Sequence, residues 1–342
     1  MDTKSIAITA SLFLLAVLVI AFAGTKIAKV AERLADATGL GEAFVGALFL
    51  GGSTSLAGIV TSITAAVNDH PELAVSNALG GIAAQTVFLV IADITYRKAN
   101  LAHAAASVAT LMQATLLVTL LAIPLLAMAG PEITILGIHP ASLLLPIAYF
   151  LGLRLVSEAQ TKPMWSPQYT DETRVEEPVT VAQENPKLVR LWLQFFLLAV
   201  IVAIAGYGVG KAGVSLSVQT GLSESLIGGL FTAISTSLPE LVTTIAAVRQ
   251  GALTLAVGGA IGGSSFDVLL LAFSDFAYRG GSIYHALETP QIFVVALTIL
   301  MTGILLLGLL RREKHGIANI GFESVLVLIL YFGGFSVLFF GN

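Results

Sequence analysis

The chain has 342 residues, 56% hydrophobic and 11% charged, with 17 Lys and Arg against 21 Asp and Glu for a formal net charge of −4. A mean hydropathy of +0.91 goes with too few charges to cover a water-soluble globule, so the composition specifies a bilayer protein. The acidic balance offers no basic surface to nucleic acid, and the absence of cysteine excludes disulfides, thiolate metal sites and a cysteine nucleophile.

A bilayer core of about 30 Å needs about 20 apolar residues per helix, and about ten runs of that kind follow one another. They cover residues 5–23, 43–67, 73–94, 101–129, 138–156, 188–210, 226–248, 253–276, 292–310 and 321–340. None alternates in polarity as the strands of a membrane barrel do. The predicted fold is therefore an all-α polytopic membrane protein with ten transmembrane helices. Ala21-Phe22-Ala23 resembles a signal-peptidase site, but Lys26, Lys29 and Arg33 immediately after it favour a retained helix.

Basic residues orient the spans. With the N-terminus outside, the inner loops carry 14 of the 17 Lys and Arg, leaving Lys4, Lys211 and Arg279 outside. Both termini are then expected outside a plasma (inner) membrane. The charged, proline-containing stretch 158–187 reads as a cytoplasmic linker between a first half, 1–157, and a second half, 188–342.

The halves share a passage. Residues 39–93 align without a gap on 221–275, with about two-fifths identical. Gly39-Leu40, Glu42, Gly46, Ser53-Thr54-Ser55-Leu56, Val60-Thr61 and Gly80-Gly81 recur as Gly221-Leu222, Glu224, Gly228, Ser235-Thr236-Ser237-Leu238, Val242-Thr243 and Gly262-Gly263. The copies begin at the second and seventh spans. Five crossings separate them, so the second enters from the opposite face. Two inverted five-helix repeats enclosing one central site is an architecture for alternating access.

Polar groups at bilayer depth mark that site. Pro239 removes a helical amide donor, so carbonyls near Ser235 and Thr236 are freed, while Thr236 and Glu240 share a face. In the next helix Gly262-Gly263-Ser264-Ser265-Phe266-Asp267 brings Asp267 one turn past Gly263. Hydroxyls, carbonyls and two carboxylates form an all-oxygen set suited to hard cations such as Na⁺ and Ca²⁺, and ionisable side chains in mid-bilayer are seldom merely structural.

These motifs resemble the α-repeats of the Ca²⁺/cation antiporter superfamily, most closely the prokaryotic sodium/calcium exchanger type, which carry Gly-Thr-Ser-x-Pro-Glu and then Gly-Ser-Asn-x-Phe-Asn/Asp. Ser235-Thr236-Ser237-Leu238-Pro239-Glu240 matches the first almost fully and Gly262 to Asp267 the second more loosely. The resemblance implies a secondary antiporter without a cofactor. It also implies that Ala233, Thr236, Ser237, Glu240 and Asp267 line the ion sites with Gly51, Thr54 and Ser55 of the first copy, and that the first and sixth helices slide past the core. The first copy departs from the pattern: Ala57-Gly58 stands for Pro-Glu, leaving a space, and Gln85 stands for Asn or Asp.

At most two carboxylates then serve the pocket, enough for one divalent or two monovalent cations. The expectation is exchange of Na⁺ or H⁺ for a divalent cation, foremost Ca²⁺, with reduced stoichiometry; Asp267 in apolar surroundings is also a candidate to carry a proton. Alternatives are a transport-dead sensor or scaffold, and an intramembrane aspartyl protease pairing Asp267 with Asp93 or Asp275. No P-loop supports ATP-driven pumping. Glu42 and Glu224 are read as complements to positive helix ends. Asp93 with Arg97 and Asp275 with Arg279 are read as local ion pairs. His103, Gln113, Gln194 and Glu323 have no assignable partner, and the five histidines show no metal-ligand spacing.

Overall fold

The computed structural model describes residues 3–38, 43–96, 98–161, 163–168, 170, 173, 188–316 and 320–340. Glu42, Gly39-Leu40, Arg97 and most of the linker expected at 158–187 lie outside the described residues. The helices run in order as α1 (3–38, with a π-helical turn at Ile20–Gly24), α2 (Ala43–Thr54 then Leu56–Val67), α3 (Pro71–Thr95), α4 (Val108–Ala129) and α5 (Pro140–Thr161). The second half repeats the plan as α6 (Leu188–Thr220), α7 (224–250), α8 (Leu253–Ala277), α9 (Thr289–Arg311) and α10 (Phe322–Phe340). Among the described residues eight of these are single helices long and apolar enough to span a bilayer, and α7 is a ninth, bent by 46° between Thr236 and Leu238. The tenth is α2, broken at the equivalent residue, Ser55.

Three boundaries differ from the hydropathy reading. The first helix continues to Thr38 and the sixth to Thr220, beyond their apolar stretches. The fourth starts at Val108 instead of residue 101, because two polar caps divide the run. Asn100 accepts from the Ala102 amide at 2.9 Å over the short helix Leu101–Ala104, and Ser107 and Thr110 form a reciprocal capping box at the start of α4.

The repeat extends well beyond the passage visible by identity, at a constant offset of 182. Gly24 of α1 lies against Pro239, and Gly206 of α6, at the equivalent place, lies against Ala57, the residue equivalent to Pro239. The α2–α3 turn passes through Asp69 at φ 63°, and the α7–α8 turn through its equivalent Gly251 at φ 82°; the left-handed conformation is open to glycine and tolerated by aspartate. Asp93 accepts from the Leu101 amide at 2.6 Å and Ser324 Oγ at 2.8 Å. Its equivalent Asp275 accepts from the Ile283 amide at 2.9 Å and Ser142 Oγ at 2.7 Å. Leu101 and Ile283, and Ser142 and Ser324, are again equivalent, so one polar joint is built twice. The pattern persists to Tyr149 and Tyr331, both buried.

These joints overturn the local ion-pair reading of Asp275; Asp93 has donors of the same kind, and Arg97, its expected partner, lies outside the described residues. Asp93 and Asp275 are both buried, at 3% and 0% exposure, and a buried carboxylate is held by donors directed at it, not by a flexible arginine at an interface.

Helices α3 and α8 form the centre, with 83% and 78% of their apolar windows buried, against 17% for α1 and for α6. With no hydrophobic drive between helices in lipid, close backbone approach supplies the packing. At the α3–α7 crossing a side chain on Gly80 would strike the backbone of Gly229, and one on Gly228 would come 2.7 Å from the Leu73 carbonyl. Helices α1 and α6 make a separate apolar layer, in which Phe13, Ile20 and Ile27 meet Val202, Ala205 and Val209.

Candidate functional site

The two broken helices and the two central helices meet at one small cavity. It is lined by Ser55, Gly58, Asn77, Gly81, Thr236, Ser237, Glu240, Asp267 and Leu270, and the space open to the centre of a water-sized sphere is about 10 Å³, room for one water or one small ion. Each break places a hydroxyl beside it. Ser237 (φ −94°, ψ 6°) and Ser55 (φ −80°, ψ 2°) share one non-helical conformation. Thr236 Oγ1 bonds back to the Ala233 carbonyl at 3.3 Å, as Thr54 Oγ1 does to the Gly51 carbonyl at 3.1 Å. Pro239 accounts for the break in α7, since the Ser235 carbonyl has no amide to meet. The first copy breaks without a proline.

The carboxylates are deeply buried, Glu240 at 6% and Asp267 at 5% exposure. Gln85 Nε2 donates to Asp267 Oδ2 at 2.5 Å, and Ser264 Oγ donates to Gln85 Oε1 at 2.6 Å. Gln85 and Asp267 are themselves equivalent residues, 182 apart, so their contact lies on the axis relating the halves. Three polar atoms of the lining, Glu240 Oε2, Asp267 Oδ1 and Ser55 Oγ, make no well-formed hydrogen bond among the described residues, although the Ser55 hydroxyl lies beside Asp267 and the Thr54 hydroxyl beside Glu240. Buried orphan acceptors of this kind cost free energy unless something fills them. All three are oxygens, and two are acidic, so a hard cation fits the donor set.

Most of the expected residues converge here. Ser55, Thr236, Ser237, Glu240 and Asp267 line the cavity, and Gln85 reaches it through Asp267. Ala233 and Gly51 supply carbonyls one turn before each break, and Thr54 stands beside Ser55 at the end of the first segment of α2. The space expected at Gly58 is largely taken: a Cβ there would meet Leu270 Cδ2 at 3.2 Å and Thr236 Oγ1 at 3.8 Å. Gln85 does not enter it.

Asn77 was not anticipated. It is buried in α3, donates to Ser62 Oγ at 2.9 Å and accepts from Thr232 Oγ1 at 2.7 Å and Thr236 Oγ1 at 3.5 Å. It thus ties α2 to α7 beside the cavity. Its equivalent is Gly259, so the repeat gave no signal; a lone polar residue in an apolar run just before Gly80-Gly81 was the available one. Neither Asp93 nor Asp275 joins Asp267, because their oxygens are engaged at the two joints. Glu224 is more than a complement to a helix end, since His70 Nδ1 lies 2.5 Å from its Oε1. Among the described residues no cluster of three or more His, Asp or Glu converges.

The family described as sodium/calcium exchanger protein matches residues 8–156 and 190–341. The sodium/calcium exchanger MaX1 of Methanosarcina acetivorans is 26% identical over a third of this chain (33%) and 32% of its own length. The inner membrane protein YrbG of Escherichia coli is 27% identical over 76% of this chain and 77% of its own, and CaxA of Alkalimonas amylolytica 26% over 91% and 92%. Among solved structures, the H⁺/Ca²⁺ exchanger CAX superposes with a TM-score of 0.71 at 15% identity, covering 98% of this chain and 82% of that one. The sodium-calcium exchanger NCX_Mj superposes with a TM-score of 0.62 at 18% identity, covering 97% and 99%; at these identities the two structures establish the shared fold. The match on both halves makes this multi-span protein a member of the sodium/calcium exchanger family within the Ca²⁺/cation antiporter superfamily, a secondary transporter and not an enzyme.

Proposed function

We propose that the chain exchanges one divalent cation, Ca²⁺ foremost, for two Na⁺ or two H⁺ by alternating access, with less charge compensation than three pocket carboxylates would give. The observation that carries this is the charge of the cavity: among the described residues Glu240 and Asp267 are its only ionisable lining residues, and Leu270 crowds the place at Gly58 where the resemblance puts a third acid. Two carboxylates balance one divalent or two monovalent ions, and surplus charge in a low-dielectric pocket is strongly disfavoured. Ions would be held by Glu240 Oε2, Asp267 Oδ1, Ser55, Thr54, Thr236 and Ser237, with the Gly51 and Ala233 carbonyls close by. Gln85 would serve as the neutral partner that steadies Asp267.

The same reading takes 1–157 and 188–342 as the two halves about a linker at 158–187, which faces the cytoplasm while both termini lie outside an inner membrane. The distribution of Lys and Arg supports that orientation. Inorganic cations and the lipid bilayer are the partners, with no cofactor. Reconstituted protein under a clamped membrane potential tests the stoichiometry. Ca²⁺ flux without net current is expected, whereas strongly electrogenic exchange would refute the two-for-one cycle. Binding of none of Na⁺, Ca²⁺, Mg²⁺ or Mn²⁺ would instead favour a sensor or scaffold.

A further inference from the structure

A second buried acidic cavity lies at the end of α3, eight residues or about 12 Å along the helix from Gln85. Its space for a water-sized centre is about 20 Å³, and Thr86, Asp93, Asn100, Glu323 and Ser324 are its polar lining. Thr86 adjoins Gln85, so this cavity lies between the central pocket and the face formed by the α3–α4 and α9–α10 connections. Glu323 is 1% exposed. Asn100 Nδ2 donates to its Oε1 at 2.7 Å, while Oε2 has no partner among the described residues. Asp93 holds the Leu101 amide and Ser324 Oγ. No described basic side chain pairs with either carboxylate.

The repeat supplies an internal control. At the equivalent joint of the other half, Asp275 receives three donors, from the Ile283 amide at 2.9 Å, the His139 amide at 2.9 Å and Ser142 Oγ at 2.7 Å. The residue equivalent to Glu323 there is Ala141, so the joint closes without a second acid. The fold therefore does not require Glu323. The chain also makes room for it with glycines: side chains on Gly308 or Gly321 would collide with its carboxylate, and the equivalents of these glycines are Leu126 and His139. A cation satisfies Oε2, with Asp93, already held by the Leu101 amide, Ser324 Oγ and the Gly321 amide, supplying the second negative charge.

We infer that Asp93 and Glu323, with Ser324 and Asn100 beside them, form a second cation site that takes one divalent ion between the central pocket and that face of the bundle. Two carboxylates balance its charge, and the donors are all oxygen. The inference stands apart from the central-pocket reading.

Equilibrium binding of ⁴⁵Ca²⁺ to the full chain in nanodiscs tests it. The wild type is expected to bind in two classes. Glu323→Gln and Glu323→Ala should each remove one class, or weaken it by more than about tenfold, and leave the class that Glu240→Gln removes. Alanine is the safe variant for folding, because the other half already carries Ala141 at this place, and thermal unfolding without Ca²⁺ should stay close to wild type. Unchanged stoichiometry and affinity in both Glu323 variants would overturn the proposal, including the case in which Glu323 only exchanges a proton. A failure confined to Glu240→Gln would count against the central pocket alone.

Discussion

The contact between Gln85 and Asp267 allows a charge to be moved across the axis of the repeat without altering a side-chain volume. Asp267→Asn removes one of two pocket carboxylates. At an effective dielectric of about 20, a unit charge about 2.5 Å from a cation contributes ~6 to 7 kcal/mol per unit of cation charge, falling by half at about 5 Å. The displacement matters because Gln85 Nε2 and Asp267 Oδ2 are 2.5 Å apart. Adding Gln85→Glu to Asp267→Asn returns the charge one hydrogen bond away, with the same bond made in the reverse sense and Ser264 still donating to position 85. The single variant should lose Ca²⁺ affinity by more than about a thousandfold, and the double variant should regain roughly a hundredfold of it, close to 3 kcal/mol. Calorimetric titration with Ca²⁺, alongside ⁴⁵Ca²⁺ uptake into proteoliposomes, measures both. A double variant that binds no better than Asp267→Asn would refute the claim that the two residues share one electrostatic site.

Glu240→Gln should abolish Ca²⁺ uptake by the reconstituted protein while leaving a monodisperse fold, because it keeps the shape and removes half the pocket charge; retained uptake would remove Glu240 from the site. Gly206→Ala should slow exchange sharply, since its Cβ would lie 2.7 Å from the Ala57 carbonyl, whereas Gly208→Ala, with Ala16 Cβ at 3.6 Å, should leave the rate near wild type. Equal effects on initial uptake rates would count against a close α2–α6 contact. Ser142→Ala should lower stability by about 1–3 kcal/mol, because it strips a donor from a fully buried carboxylate; thermal unfolding in detergent reads this directly.

Membrane class, helix number and the duplicated passage were legible because hydropathy and identity are local signals. So was the pair Glu240 and Asp267, since acids in apolar runs stand out at once. The break at Ser55 could be reached only through the repeat: Ala57 carries none of the backbone chemistry of Pro239, yet the helix parts at the equivalent residue. The surroundings of Asp93 and Asp275 were not legible, because spacing to a nearby arginine is visible along the chain, whereas donors from Ser324 and Ser142 arrive from more than a hundred residues away. Leu270 occupies the space beside Gly58 by tertiary packing, which leaves no trace in periodicity. The run from Leu101 hid two caps, because alanines between Asn100 and Ser107 keep hydropathy high while the chain turns.

A residue sitting on a twofold axis faces itself. Were this protein built from two identical subunits, an acid at the position of Asp267 would confront a second acid at the distance of one hydrogen bond, and a glutamine would confront a glutamine. Only copies whose sequences have diverged let that place hold a donor on one side and an anion on the other. The amide–carboxylate bond at the centre is thus a product of divergence after duplication, and an assembly of two identical subunits is barred from it.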